Sequence, residues 1–300
     1  MTAGDLDLVT GAFGNTGAAI TALLHQRGRR VRTLTDHPPA GGREGIEVVP
    51  FSGGGDRLAE AFEGVSTFYN TFWMRTGDAH GAYDAAVERS IALVSAAERA
   101  GVERIVHLSV AKPSIDSPYP YFRAKAKVEE ALRAASVPAS VVRPALIFGG
   151  HSVLLNNLAW ILRRAPVFGL AGDGSYRVRP VHVDDVAALC VDLAGRGETA
   201  TVDAVGPERP TYDELVRLVS DAVGSRTRIV HLPPRVVLGG SWVLGRALRD
   251  QLLTADELYS TMEGLADTDG PSTGQTSLAA WVQGHGDELG RHYVNERRRR

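Results

Sequence analysis

The sequence predicts an α/β fold: a doubly wound, mostly parallel sheet with helices on both faces, followed by a smaller C-terminal α/β region. Three observations predict it. Short apolar runs alternate with longer stretches of helical spacing through the first two-thirds of the 300 residues. A glycine-rich turn links the first apolar run to the first helical stretch. The composition, 44% hydrophobic and 23% charged, is that of an ordinary folded chain with enough apolar side chains for a sizeable core.

The elements follow in order. Asp7 to Thr10 is a short apolar strand, and Thr16 to Arg27 a helix with Ile20, Leu23 and Leu24 on one face. Val31 to Thr35 and Gly45 to Phe51 read as the second and third strands. Arg57 to Phe62 is helical, and Thr67 to Phe72 is a β-branched and aromatic strand. His80 to Ala100 is a long helix, Glu103 to Ser109 a strand, Tyr121 to Ala135 a helix and Ala139 to Phe148 a strand. Beyond residue 150 the alternation loosens. Val153 to Arg164 reads as a helix, Tyr176 to Val183 as a strand, Asp184 to Ala194 as a helix capped by Asp184, and Thr201 to Val205 as a strand. Thr211-Tyr-Asp-Glu214 and Thr254-Ala-Asp-Glu257 are capping boxes that open two helices. Arg228 to Leu232 is a strand and Gly264 to Thr276 a loop. Residues 1–150 are expected to form the nucleotide-binding core. Residues 151–300 supply the remaining core elements and a region that covers the substrate, packed with the core rather than independent.

Charge and cysteine content exclude several classes. The 33 Lys and Arg against 35 Asp and Glu leave a net charge of -2, so nucleic acid is not an expected partner. One cysteine, Cys190, rules out an internal disulfide framework and a multi-cysteine metal site, and no metal is expected. No secretory signal is visible at the start, and a cytoplasmic location is expected. The longest stretch without a charged residue, Pro144 to Leu162, is broken by Pro, Gly and Asn, so no membrane span is expected. The run Arg297 to Arg300 reads as a solvated tail.

Gly11-x-x-Gly14-x-x-Gly17 carries the first chemistry. Glycines let the backbone turn sharply and approach a pyrophosphate, and the helix N-terminus adds free amides and a positive dipole end. At the end of the second strand stands Asp36, whose carboxylate suits a ribose hydroxyl and repels a 2′-phosphate. The nearby cations Arg32, His37 and Arg43 argue the other way. The cofactor is therefore NAD or NADP, with a lean to NAD.

Tyr121-Phe-Arg-Ala-Lys125 carries the second. Residues four apart share a helix face, and an ammonium beside a phenol lowers the cost of ionising it. Without such help a tyrosine of pKa about 10 is a poor base at neutral pH. The motif follows the strand that ends in Ser109. Trp73, Met74 and Arg75, after the fourth strand, stand where a doubly wound sheet binds ligands and are candidates for the substrate wall. Trp160, Phe168 and Tyr176 read as core aromatics.

Thr10-Gly11-Ala12-Phe13-Gly14-Asn15-Thr16-Gly17 resembles the turn of the short-chain dehydrogenase/reductase superfamily in its extended and atypical branches, a Rossmann-like fold. Asn15-Thr16-Gly17 is most similar to the branch named after the NmrA regulator. Val141-Val142-Arg143-Pro144-Ala145-Leu146-Ile147-Phe148-Gly149 and Arg179-Pro180-Val181-His182-Val183-Asp184-Asp185-Val186-Ala187 resemble later motifs of the same relatives, as does Val205-Gly206-Pro207-Glu208. The resemblance runs from about residue 6 to about residue 232 and takes in NAD-dependent epimerase/dehydratase-like proteins. It also takes in the branch of the nucleotide-binding accessory subunit of respiratory complex I.

The resemblance implies that Gly11, Phe13, Gly14, Asn15, Thr16, Gly17, Asp36, Lys125 and Pro144 hold the cofactor. Tyr121, Lys125 and Ser109 would be catalytic. Only eleven residues lie between Ser109 and Tyr121, a short spacing for extended enzymes, and Ser114 and Ser117 are nearer alternatives. The family's asparagine has only Asn70 as a counterpart, by location. His182 reads as a structural histidine. Two functions stay open: oxidation, reduction or epimerisation of a small apolar or aromatic carbonyl or alcohol, and dinucleotide sensing or assembly without turnover. A quinone reductase-like activity that would not need Tyr121 is a third. A homodimer or a protein partner is compatible with either main reading.

Overall fold

The computed structural model describes residues 5–36, 38–39, 44–51, 55–73, 81–150 and 152–295. In chain order the elements are β1 (Leu6–Val9), α1 (Asn15–Gln26), β2 (Arg30–Leu34), β3 (Ile46–Val49), α2 (Gly55–Ala61), β4 (Val65–Asn70), α3 (Ala82–Arg99), β5 (Arg104–Leu108), α4 (Pro120–Ala134) and β6 (Ala139–Pro144). Then come β7 (Leu146–Phe148), α5 (Val153–Leu162), β8 (Val167–Ala171), β9 (Pro180–His182), α6 (Val183–Gly195) and β10 (Thr201–Ala204). The last are α7 (Tyr212–Ala222), β11 (Arg228–Leu232), α8 (Pro234–Leu248), α9 (Ala255–Met262) and α10 (Leu278–Gly284). They form two compact units, Met1–Pro144 with Val183–Ala204, and Ala145–His182 with Val205–Arg300.

The first unit is a seven-stranded sheet in the order β10-β6-β5-β4-β1-β2-β3, parallel throughout. This is a Rossmann-like α/β architecture. Strand order reverses at β1 and β4, so the crevice for a ligand opens beyond their C-terminal ends. Being central, β1 is buried along its whole length, whereas the edge strand β3 is only half-buried. Leu8, Phe62, Phe68, Leu93 and Ile105 are fully buried, and Phe62 meets Phe68 edge-on with centroids 4.9 Å apart. Asp7 lies inside the central strand. It survives there because Arg29 clamps both its carboxylate oxygens, Nε to Oδ2 at 2.8 Å and Nη2 to Oδ1 at 2.7 Å. The single cysteine, Cys190, is buried in α6, and burial pushes its thiol up to about 12, so it stays protonated.

The second unit packs α5, α7 and α10 around Phe148, Leu155, Leu162, Leu170, Leu215, Val219 and Val282. It carries two small parallel sheets, β7 with β9 and β8 with β11. Both capping boxes form: Thr211 accepts from the Glu214 amide at 3.2 Å, and Thr254 from the Glu257 amide at 3.1 Å. Glu208 opens α10 from seventy residues away, accepting from Ser277 Oγ at 2.5 Å and the Leu278 amide at 2.7 Å.

Beyond shifts of one or two residues, three boundaries differ from the sequence expectation. Ala139 to Phe148 is not one strand. β6 ends at Pro144, whose carbonyl accepts from the Ala111 amide, and Leu146–Phe148 pair instead with β9. Only Pro180–His182 of the expected Tyr176 to Val183 strand is extended into a ladder. α6 begins at Val183, so Asp184 lies in its first turn rather than at the cap, where its charge still meets the positive end of the helix dipole.

Candidate functional site

The glycine turn is built by contacts that only glycines permit. Gly11 takes a φ of +67°, and its carbonyl accepts from the Gly14 amide at 2.8 Å. A Cβ on Gly17 would lie 2.1 Å from the Gly11 oxygen, and one on Gly14 3.2 Å from it. No side chain caps α1 and no acid stands in its first turn. The positive end of α1 is therefore left for an anion, as a pyrophosphate cradle requires. Gly11 and Gly14 are exposed, Phe13 and Asn15 half-buried, and Thr16 and Gly17 buried beneath the turn.

Thr10 is the unforeseen hub of this turn. Its hydroxyl accepts from the amides of Thr71 at 2.9 Å and Phe72 at 3.0 Å, and its carbonyl accepts from the Thr71 hydroxyl. The segment after β4 is thereby tied to the end of β1. Thr33 ties in β2, donating to the Val9 carbonyl at 2.7 Å and accepting from the Ala12 amide at 3.3 Å. Asp36 is exposed at the end of β2, and its carboxylate accepts from the Phe51 amide at 2.8 Å. His37, Arg43, Met74 and Arg75 lie outside the described residues.

Tyr121 and Lys125 share the face of α4 that meets Trp73. The Tyr121 ring stands edge-on to Trp73 with centroids 5.6 Å apart, and Lys125 Nζ sits 4.1 Å over the same indole. Tyr83 stacks on Trp73 at 6.2 Å. Trp73 thus forms an aromatic wall beside the tyrosine–lysine pair. Lys125 is only 3% exposed and donates to the Leu108 carbonyl at 2.9 Å. Burial pushes its ammonium down to about 7, against the pull of Glu129.

Ser109 is engaged elsewhere. Its hydroxyl donates to Glu129 Oε1 at 2.6 Å, and Glu129, 2% exposed, is clamped by Arg143, Nε to Oε1 at 2.9 Å and Nη2 to Oε2 at 2.5 Å. The hydrogen bond to Glu129 holds the Arg143 guanidinium above its ordinary range. Of the alternatives, the Ser114 hydroxyl accepts from the Asp116 amide at 3.2 Å and the Ser117 hydroxyl from the Tyr119 amide at 3.2 Å, both local turns. Asn70 and His107 are fully buried on paired β4 and β5, the Asn70 backbone is the polar group that faces the His107 ring, and Asn70 Nδ2 lacks a partner among the described residues. Burial, and then the nearby Lys125 charge, keep His107 neutral. Pro144 is buried at the end of β6.

Glu129 and His107 were not singled out from the sequence, and Arg143 was named only as part of a motif, without its partner. Glu129 repeats the four-residue spacing of Tyr121 and Lys125, the one local signal that would have placed it on the same face.

Trp160, Phe168 and Tyr176 of the second unit are packing residues. Tyr176 stacks on Tyr212 at 5.3 Å, Trp160 meets Tyr293 at 5.2 Å, and Phe168 packs on the unit's core. His182 is wedged between Phe148 and Trp281 beneath Gly149, whose Cβ would fall 2.2 Å from its Nε2. This unit has a cavity of about 220 Å3, lined by Gly149, Ser152, Asn156, Trp281, His285 and Glu288 among others.

The sheet order and the glycine turn define a Rossmann-type protein with a cradle of the dinucleotide-binding kind. Residues 6–267 match the NmrA-like family, and the chain belongs to it. The chain is 33% identical over 150 residues to the mitochondrial NADH dehydrogenase [ubiquinone] 1 alpha subcomplex subunit 9 of Arabidopsis thaliana. That match covers 49% of this chain and 37% of the plant protein, so the chain spans well under half the length of that relative. It is 28% identical over 246 residues to the ceramide reductase of Caulobacter vibrioides, covering 78% of this chain and 76% of that one. Among solved structures, the triphenylmethane reductase of Citrobacter sp. complexed with NADP(H) has the same fold at 20% identity. Its TM-score is 0.72, over 93% of this chain and 99% of that one. No helix among the described residues is long and apolar enough to cross a membrane.

Proposed function

We propose that this protein is a nicotinamide-dinucleotide-dependent reductase or epimerase of a small apolar or aromatic carbonyl or alcohol. The observation that carries the reading is the joint placement of Tyr121 and Lys125 on Trp73, with the ammonium buried and poised near neutrality. The ceramide and triphenylmethane reductases support an apolar substrate. Gly11, Gly14 and Gly17 bring the backbone close to the pyrophosphate, and the uncapped α1 N-terminus offsets its charge. Asp36 supports NAD, since its carboxylate disfavours a 2′-phosphate. A bound nicotinamide supplies or accepts hydride. The chain's own work is proton handling. In reduction, the Tyr121 hydroxyl gives its proton to the substrate oxygen as hydride reaches the carbon, and Lys125 stabilises the phenolate left behind. Trp73 and Tyr83 hold a flat apolar group and exclude water from it.

A second reading, a dinucleotide-binding sensor or assembly subunit, is favoured by one observation. The Ser109 proton that would polarise a substrate oxygen goes to Glu129. The complex I relatives support it as well. The experiment that separates the two follows NADH and NADPH oxidation with a panel of hydrophobic aldehydes, ketones and quinones, in wild type and Tyr121→Phe. Turnover lost by at least about a hundredfold in the variant, with dinucleotide affinity retained, supports the enzyme. Binding without turnover in both proteins supports the sensor.

A further inference from the structure

α8 is a fifteen-residue helix with two apolar faces. Val237, Ser241, Leu244, Gly245 and Leu248 recur at helical spacing on the side turned to the protein, and Val237 packs toward Gly169 of β8. The opposite side is solvent-facing and not polar. It presents Val236 at 52% exposure, Trp242 at 69% and Val243 at 62%, with Gly239, Gly240 and Ala247 exposed between them. Its only charged residues are Arg235 and Arg246, and Arg249 follows at the C-cap. From residue 222 to residue 249 the chain has five arginines, Arg226, Arg228, Arg235, Arg246 and Arg249, and no Asp or Glu, within a protein of net charge -2. None of those five guanidiniums pairs with a carboxylate among the described residues. The next acid, Asp250, is buried and accepts from the Tyr293 hydroxyl at 2.6 Å.

We infer that α8 docks this protein on an anionic lipid surface, with Trp242, Val243 and Val236 entering the headgroup boundary and the arginines meeting lipid phosphates. An exposed Trp and two exposed valines flanked by unpaired arginines are the side chains that enter an interface and meet lipid phosphates. At fifteen residues it is too short to span a bilayer, which takes about twenty. A second copy of the chain is a poorer occupant. In a two-fold interface the same patch meets itself, which would bring Arg235, Arg246 and Arg249 of one copy toward the arginines of the other with no carboxylate of α8 between them.

The test is flotation of the full chain with vesicles of phosphatidylcholine alone, or of phosphatidylcholine with a quarter phosphatidylglycerol, at low and high salt. Binding is expected only to the anionic vesicles and is lost at high salt. Trp242→Ser with Val243→Ser weakens it by about tenfold or more. Arg235→Gln, Arg246→Gln and Arg249→Gln weaken it by about fivefold per arginine. Both changes are on exposed positions, and unchanged circular dichroism confirms the fold. Trp242→Phe keeps binding but loses most of the tryptophan quenching by brominated lipid. Replacing Arg297–Arg300 by Ser leaves flotation in place. Three results would overturn the inference: no flotation at low salt, flotation that survives both α8 variants or vanishes with the tail variant, or a dimer in sedimentation that Trp242→Ser dissolves without any vesicle binding.

Discussion

Replacing Lys125 by methionine separates its functional use from its cost to the fold. The side chain is 3% exposed, and burial lowers its pKa from 10.5 to about 7. The fold therefore disfavours the ammonium relative to the unfolded chain, by a ceiling of about 5 kcal/mol. Between pH 7 and 10.5 the unfolded chain binds more protons at this residue than the folded one, so stability rises with pH through that window. Below pH 7 the full penalty applies. Met fills nearly the same volume and carries no charge. It gives up the hydrogen bond to the Leu108 carbonyl and the contact over Trp73, together about 1–3 kcal/mol. Lys125→Met is thus expected to be more stable than wild type at pH 6, by about 2–4 kcal/mol, and to lose that advantage by pH 10. Urea unfolding at pH 6, 8 and 10 reads this directly, because differencing the two proteins cancels the titrating groups that do not interact with Lys125. A stability difference that does not change with pH would refute the reasoning. So would a Met variant that is less stable at every pH.

Other changes test the remaining parts. Gly17→Ala brings a Cβ within 2.1 Å of the Gly11 carbonyl oxygen, so the turn must open. A loss of at least about 2 kcal/mol in denaturant unfolding is expected, together with at least tenfold weaker dinucleotide binding. Glu129→Leu strands Arg143 without its carboxylate and frees the Ser109 hydroxyl, at an expected cost of about 3–5 kcal/mol. Ordinary stability in that variant would show that the pair does not hold β6 to α4. Asp36→Arg is expected to move cofactor preference at least tenfold toward NADP(H) while costing under about 1 kcal/mol, since its bond to the Phe51 amide is exposed. Unchanged preference in calorimetry would remove Asp36 from cofactor choice.

The sheet was readable because β1, β3, β4 and β5 are short, largely apolar and each followed by helical spacing, a rhythm that parallel βαβ units impose on sequence. The capping boxes at Thr211 and Thr254 were readable for a local reason, since both partners lie within four residues. What escaped depends on distant partners or on weak patterns. β8 carries Gly169 in its middle and was silent. α8 has Gly239 and Gly240 side by side and no polar face, so its periodicity is blurred. α10 is only seven residues long, and its Ser277 cap is reinforced by Glu208, far away in sequence. The break at Pro144 follows from β6 and β7 pairing with different partners, β10 and β9, which no local spacing encodes. In the site, Tyr121 and Lys125 were visible as a motif, and the structure brings them together on Trp73. The commitment of Ser109 to Glu129 was not visible, because it joins the end of a strand to the middle of a helix twenty residues on.

Dinucleotide binding tests the central claim most directly. Calorimetric titration of wild type, Gly17→Ala and Tyr121→Phe with NAD, NADH, NADP and NADPH decides it. The glycine cradle predicts binding of at least one redox pair by wild type and by Tyr121→Phe, and at least tenfold weaker binding by Gly17→Ala. Absence of binding for all four forms in wild type, or equal binding by Gly17→Ala, would contradict it.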